Sequence, residues 1–96
     1  MIKHVVCFKL NDSSETSKNE VKEMLLSMVG NVPEIKDIEV GTDFLCSEKS
    51  YDVILQVTVD GKEELDSYQN NKYHVEVVKA YIRSRAVASI VVDYEI

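Results

Sequence analysis

The chain has 96 residues, with 17 aspartates and glutamates against 11 lysines and arginines, and its net charge at neutral pH is −6. A chain of this length supports one hydrophobic core, and its 45% hydrophobic content is typical of a globular domain rather than a disordered one. Nucleic-acid binding is disfavoured, because it needs clustered cations and no lysine- and arginine-rich stripe is present. No apolar run approaches the ~20 residues that a membrane span requires.

The N-terminus and the two cysteines bear on localisation. Met1 leads directly into a strand-like pattern, without the apolar core and cleavage site of a secretory signal. Cys7 and Cys46 have neither close spacing nor a histidine partner at metal-ligand intervals. We therefore expect reduced cysteines and a cytoplasmic location, with a disulfide between the two as the less favoured alternative.

The first half of the chain predicts a strand, a helix and a hairpin. Alternating apolar residues predict a strand over 2–10. Ser17 and Glu20 have the spacing of a capping box and precede an apolar stripe of helical period, which Gly30 and Pro33 end. Two further apolar segments separated by a polar turn predict a β-hairpin, with strands over 38–44 and 51–59.

The second half predicts an interrupted helix and a last strand. Asp60 and Glu63 indicate a capped helix that runs through Tyr68. The pair Asn70-Asn71 interrupts it, since asparagine side chains compete for backbone hydrogen bonds. A helical segment through Ile82 and a strand over 86–94 follow. The order β-α-β-β-α-β predicts a single α+β domain over 1–96 with a ferredoxin-like fold, in which both helices cover one face of a four-stranded antiparallel sheet.

The second face of the predicted sheet is a candidate partner surface. Alternation places Ile2, His4, Val6, Phe8 and Leu10 on the more apolar side of the first strand, which we expect to meet the helices. The opposite side of the sheet mixes Val5, Cys7 and Ile54 with polar residues, although a face open to water is normally more polar. We expect a homodimer with face-to-face sheets; the alternative is a monomer with scattered apolar surface residues.

Both histidines are predicted to point into the layer between sheet and helices. His4 lies in the more apolar row of the first strand, and His74 lies on the apolar stripe of the last helical segment. Imidazoles in an apolar layer are candidates for general acid-base catalysis, because their pKa is near neutrality and burial lowers it. The alternative is that each ring donates to a backbone carbonyl or a tyrosine hydroxyl and never contacts a substrate.

Tyr68 lies six residues before His74, a spacing that puts the two on different faces of a continuous helix. They meet only if the helix breaks at Asn70-Asn71. In that case the imidazole can remove a proton while the phenol stabilises a developing oxyanion. The alternative is a core tyrosine packed beside Leu65.

No cofactor or metal site is expected from the motifs. The chain has no glycine-rich phosphate loop, no HExxH and no CxxC. Asp43, Asp52 and Asp93 are candidate carboxylate donors to a metal, but each is interpreted more simply as a surface or strand-end charge.

Four segments, IKHVVCFKL, YDVILQVTV, ELDSYQNNKYHVEVV and VVDYEI, together resemble the stress-responsive dimeric α/β-barrel (Dabb) family over essentially the whole chain. Members of that family are homodimers whose sheets pack into a barrel. The resemblance also implies site residues, because the catalytic histidine and tyrosine of a plant polyketide cyclase in the family match His74 and Tyr68. Its strand-one histidine matches His4. Two positions depart from the pattern: Val53 replaces a further cavity histidine, and Lys72 replaces a proline.

The sequence thus predicts a small dimeric protein that binds a carbonyl or aromatic molecule between sheet and helices. His74 and Tyr68 are the expected catalytic residues of a cofactor-free, cyclase- or lyase-like proton transfer. The expected substrate-binding residues are His4, Phe8, Val53 and Val78. The alternatives are a non-catalytic stress-response or ligand-binding dimer and the monooxygenase or haem-degrading activity of similar barrels.

Overall fold

The computed structural model describes residues 1–96 as one four-stranded antiparallel sheet with helices on one face. The strands are β1 (Ile2–Leu10), β2 (Asp37–Thr42), β3 (Val53–Val59) and β4 (Ala86–Glu95). They lie in the order β2-β3-β1-β4, and every neighbouring pair is antiparallel. The helical layer consists of α1 (Glu15–Leu26), α2 (Lys62–Asn70), a π-helix (His74–Lys79) and α3 (Ala80–Arg85). The ferredoxin-like prediction is confirmed.

Helix α1 begins earlier than the sequence predicted. Its N-cap is Ser14, whose Oγ accepts a hydrogen bond of 3.2 Å from the backbone N–H of Ser17. Ser17 is therefore a buried residue of the first turn, and the prediction that it caps the helix was wrong. The hydroxyl of Ser14 already satisfies the backbone N–H of Ser17, so the cap lies three residues earlier than predicted.

The β2–β3 hairpin has shorter strands than predicted, since β2 ends at Thr42 and β3 begins at Val53. Asp52 explains the late start of β3. Its Oδ2 accepts hydrogen bonds from the backbone N–H of Leu10 (2.7 Å) and the hydroxyl of Ser13 (3.1 Å), and it is only 4% exposed. Asp52 is thus a buried anchor that ties the hairpin to the end of β1, and its interpretation as a surface charge is corrected.

Helix α2 ends where the asparagine pair predicts. Asn70 is its last residue, and Asn71 has an extended backbone with ψ of 134°. The helix start differs from the prediction, because Gly61 rather than Asp60 takes the N-cap position. The carboxylate of Asp60 lies instead 3.5 Å from Nζ of Lys36.

The hydrophobic core lies between the sheet and the helical layer. Burial alternates along the whole of β1, with the even-numbered residues from Ile2 to Leu10 buried, as the sequence predicted. Val21 and Leu25 of α1 and Val57 of β3 are almost completely buried in the same core. Burying a side chain of this kind contributes roughly 1.5–3 kcal/mol to folding, so this layer stabilises the domain.

The opposite face of the sheet is exposed and apolar. Val92, in register with Val5 of β1, is 60% exposed, and Ile90, in register with Cys7, is 52% exposed. Tyr94 extends this row toward the end of β4 and is also exposed. No helix of the chain has the length and hydropathy to cross a bilayer.

Candidate active-site cavity

A cavity of about 530 Å³ opens between the helical layer and the β1–β4 half of the sheet. It exists because the helices do not cover the inner row of β4, where Val87 and Val91 face the layer but stay 66% and 52% exposed. A pocket of this volume suits a small organic ligand. The structure places five of the six predicted site residues on its lining: His4, Phe8, Tyr68, His74 and Val78.

Val53 is the exception. It lies directly opposite Phe8 in the β1–β3 register, but it is 2% exposed, belongs to the closed core and does not line the cavity. The position of Val53 does not support the prediction that it binds substrate, because its side chain is enclosed in the core.

The three aromatic rings predicted to share a chamber are in contact. The ring of Tyr68 lies between the two imidazoles, with its centroid 4.5 Å from that of His74 and 5.5 Å from that of His4. All three residues are buried, at 0%, 7% and 4% exposure respectively. The break after Asn70 makes this possible, since the extended backbone of Asn71 ends the regular winding of α2 before His74.

The position of His74 is set by two neighbours. The backbone N–H of His74 donates a hydrogen bond of 3.1 Å to Oδ1 of Asn71, which caps the segment after the break. The ring Nδ1 lies 3.4 Å from the carbonyl oxygen of Gln69 and donates to it in the matching tautomer. The lone pair of Nε2 is then free to accept a proton. His74 also begins the π-helix, a rare conformation that is frequent at functional sites.

Electrostatics keep His74 neutral and Tyr68 protonated. Burial is the main cause that lowers the pKa of His74; the hydrogen bond to the Gln69 carbonyl opposes it, and the charges of Lys79 and His4 add smaller lowering effects. Burial, assisted by the negative charge of Asp93, raises the pKa of Tyr68 well above its ordinary value. The site therefore combines an uncharged base with a phenol that remains a hydrogen-bond donor.

The hydroxyl of Tyr68 has a weak partner. It lies 3.8 Å from Sδ of Met28, a buried methionine at the C-terminal end of the α1 region. A thioether is a poor acceptor compared with an oxygen, so this contact does not compete strongly with an oxyanion.

The partner of His4 is Asp93, which local sequence patterns did not predict. Nδ1 of His4 donates a hydrogen bond of 2.5 Å to Oδ1 of Asp93, which is opposite it in the β1–β4 register. The carboxylate of Asp93 therefore holds the imidazole in place, and Asp93 is more than a plain strand-end charge. The two residues are 89 positions apart, and only the strand pairing brings them together. The alternation of β4 was the available signal, because it puts Asp93 on the same face as Val91.

The arrangement is suited to moving a proton within an apolar chamber. A neutral imidazole can accept a proton, a neighbouring phenol can donate a hydrogen bond to an oxygen that gains charge, and a second imidazole is held by a carboxylate. The three aspartates that were candidate metal donors each have a hydrogen-bond partner within the protein. Asp93 bonds His4, Asp52 accepts from the backbone N–H of Leu10, and Asp43 accepts from the backbone N–H of Cys46.

Solved structures with the same fold cover nearly the whole chain. A dimeric ferredoxin-like protein of unknown function from Thermobifida fusca is 23% identical, with a TM-score of 0.84, covering 99% of this chain and 90% of its own. An Arabidopsis thaliana protein is 22% identical, with a TM-score of 0.85 and coverage of 100% and 95%. A hydroxynitrile lyase from Passiflora edulis is 15% identical, with a TM-score of 0.81 and coverage of 99% and 92%. At these identities the likeness shows the fold.

No functionally curated protein matches the sequence. The family comparison is more specific, since the model described as the stress responsive A/B barrel domain (Dabb) matches residues 2–96. The chain belongs to the stress-responsive A/B barrel (Dabb) family.

Proposed function

We propose that the chain binds a small carbonyl or aromatic molecule in the cavity and catalyses a cofactor-free, cyclase- or lyase-like proton transfer. One observation carries the proposal: the ring of Tyr68 contacts both imidazoles inside the cavity. Packing alone does not require two histidines and a tyrosine to meet in an apolar layer. The fold is compatible with catalysis, because the Passiflora edulis lyase has it.

In the proposed mechanism His74 is the general base. Its Nε2 takes a proton from the carbon next to the carbonyl, while Nδ1–H keeps its hydrogen bond to Gln69. The electron pair of the broken bond moves toward the carbonyl oxygen. Tyr68 turns its O–H bond from Met28 to donate a hydrogen bond to that oxygen. The imidazolium returns the proton in the following step. His4, Phe8 and Val78 hold the substrate, with His4 oriented by Asp93.

Proton abstraction can be measured without knowing the complete reaction. In D₂O the enzyme should accelerate deuterium incorporation next to the carbonyl of a bound aromatic ketone, followed by ¹H NMR with phenylacetone and phenylpyruvate. His74→Ala should lower the accelerated rate by about 10²- to 10⁴-fold, the usual contribution of a general base. Val75→Ala is the matched control, since Val75 is adjacent, 42% exposed and outside the cavity lining. Equal rates in both variants would remove His74 from the mechanism.

A non-catalytic ligand-binding or stress-linked dimer is the second candidate. The observation in its favour is the orientation of Tyr68, whose hydroxyl contacts Met28 and whose side chain is completely buried. Under this reading the three rings form a binding surface only. Ligands would then shift the His4 and His74 resonances with no deuterium incorporation in any compound that binds.

The proposal includes a homodimer in both cases. Its support is the exposed apolar row on the outer face of the sheet, which contains Ile90, Val92 and Tyr94 of β4 beside Val5 and Cys7 of β1. A patch of this kind on a chain of net charge −6 is expected to be covered by a partner. The Thermobifida fusca protein of the same fold is described as dimeric.

A further inference from the structure

The charged side chains that line the cavity are all basic. Lys79 ends the π-helix, Arg83 lies one turn later in α3, and both contribute to the lining. None of the 17 aspartates and glutamates of the chain does. The carboxylate of Asp93 contacts His4 but does not line the cavity. In a protein with net charge −6, the cavity is a local region of positive charge.

Neither cation has a partner within the chain. Neither Lys79 nor Arg83 makes an ion pair or a side-chain hydrogen bond. The basic residues that do form ion pairs in the domain are His4, Lys36, Lys62 and Arg85. Arg85 shows the contrast on the same helix. It pairs with Glu20 at 3.4 Å and lies over a tyrosine ring. Lys79 and Arg83 are exposed while they line the cavity, so they stand at its mouth.

The interior beyond this mouth is apolar. Phe8, Leu25, Leu55 and Val78 form much of the wall, and each is buried. The charge of Lys79 also reaches the site, since it adds to the effect of burial on the pKa of His74. A ligand that satisfies both regions has an apolar body and an anionic end. A guanidinium and an ammonium on successive turns fit the two oxygens of a carboxylate.

We propose that the cavity selects an organic carboxylate, with its apolar body inside and its carboxylate between Lys79 and Arg83 at the mouth. This substrate class deepens the proposed function and rests on it, because it assumes that the cavity binds a ligand. With the carboxylate between these cations, the reacting carbonyl occupies the apolar interior.

Matched pairs of carboxylate and neutral amide test the proposal. The affinities of 3-phenylpropanoate, 3-phenylpropanamide, 4-phenylbutanoate and 4-phenylbutanamide are measured at pH 7.5 by NMR titration, with His4 and His74 ring resonances reporting occupancy. Each carboxylate should bind about 5- to 10-fold more tightly than its amide, the size expected for partly exposed charges. In Lys79→Gln/Arg83→Gln this ratio should fall to about 1, with the amide affinities unchanged.

The control is Lys49→Gln/Lys72→Gln, which changes the net charge equally at exposed lysines outside the cavity. It should keep the preference for carboxylates. Equal binding of acid and amide to the unmodified protein, or a preference that survives in Lys79→Gln/Arg83→Gln, would overturn the carboxylate inference and leave ligand binding intact. Failure of all four compounds to perturb either histidine would overturn the proposed cavity function together with this inference.

Discussion

His4 and Asp93 are joined across neighbouring strands, with Nδ1 of the imidazole 2.5 Å from the Oδ1 carboxylate oxygen. The histidine is almost completely buried, whereas 38% of the aspartate side chain is exposed. The bond therefore connects the solvent-accessible inner row of β4 to the interior of the cavity. It also holds the ring of His4 against Tyr68.

Removing this acceptor should destabilise the fold slightly and release the imidazole. In Asp93→Ala the buried Nδ1–H of His4 loses its partner, and we expect a loss of about 1 kcal/mol in the free energy of unfolding, measured by urea denaturation. The His4 ring ¹⁵N shifts should change with it. Glu95→Ala removes a carboxylate of the same strand that is 73% exposed, and it should cost no more than about 0.5 kcal/mol. Equal losses would show that His4 does not depend on Asp93.

The free energy of unfolding should decrease toward acidic pH because of His74. Burial holds the pKa of this histidine below its ordinary value of 6.5, so the unfolded chain takes up a proton before the folded one does. The contribution of His74 is complete above pH 6.5, decreases as the pH falls below 6.5, and levels off below the folded-state pKa. His74→Gln should remove this part of the pH dependence. Urea denaturation of both proteins between pH 5 and 8 tests this. A constant difference between their free energies of unfolding would contradict the prediction.

Tyr68→Phe should separate catalysis from stability. The lost hydroxyl contacts only the thioether of Met28, so we expect less than about 1 kcal/mol of destabilisation but a fall of about 10²- to 10³-fold in deuterium exchange. Tyr73→Phe should lower stability but leave deuterium exchange unchanged. The hydroxyl of Tyr73 donates a hydrogen bond of 2.8 Å to Ser27 and lies outside the cavity. Urea denaturation measures the stability of the two variants, and the deuterium-exchange assay measures their activity. Full activity in Tyr68→Phe would assign the phenol a packing role.

The cap after the helix break should be worth about 1 kcal/mol. Asn71→Ala removes the side-chain oxygen that accepts from the N–H of His74, and caps of this kind typically contribute that amount. Asn71→Asp should retain the stability, because aspartate caps equally well. Asn70→Ala is the control, since Asn70 instead donates to the carbonyl of Asp66 at an exposed site. Chemical denaturation of the three variants tests the cap, and equal stability of Asn71→Ala and the unmodified protein would refute it.

A charge on the outer face should dissociate the dimer. Val92→Asp places a carboxylate in the exposed apolar row of β4, where a face-to-face sheet contact would bury it without a partner. We expect sedimentation equilibrium to show a dimer for the unmodified protein and a monomer for this variant. Val77→Asp, on the helical side of the domain, should remain dimeric. A monomeric unmodified protein would remove the homodimer from the proposal.

The sequence predicted the fold because its periodicities were clear. Alternation along β1 assigned every residue from Ile2 to Leu10 to the correct face, and His4 with it. Helix starts were less predictable, since Ser14, Ser17 and Asp60 all have capping chemistry and only tertiary contacts choose among them. The carboxylate of Asp60 pairs with Lys36 instead of capping the helix.

The candidate site was predictable as far as local sequence determines it. A break at Asn70-Asn71 was the condition under which Tyr68 and His74 could meet, and the structure brings them into contact. The bond between His4 and Asp93 depends on the register of β1 and β4, which local patterns do not determine. The enclosure of Val53 likewise depends on core packing that local patterns do not determine, since Leu55 of the same strand does line the cavity.

The π-helix holds one residue more than a regular helix needs to connect the same flanking residues. About five residues of a π-helix turn the chain as far as about four residues of an α-helix. Deleting a single residue between His74 and Lys79 would therefore restore regular winding and leave Arg83 on the same side of its helix. This short segment is thus a place where relatives of this chain can differ in length by one residue while the helix that follows keeps its direction.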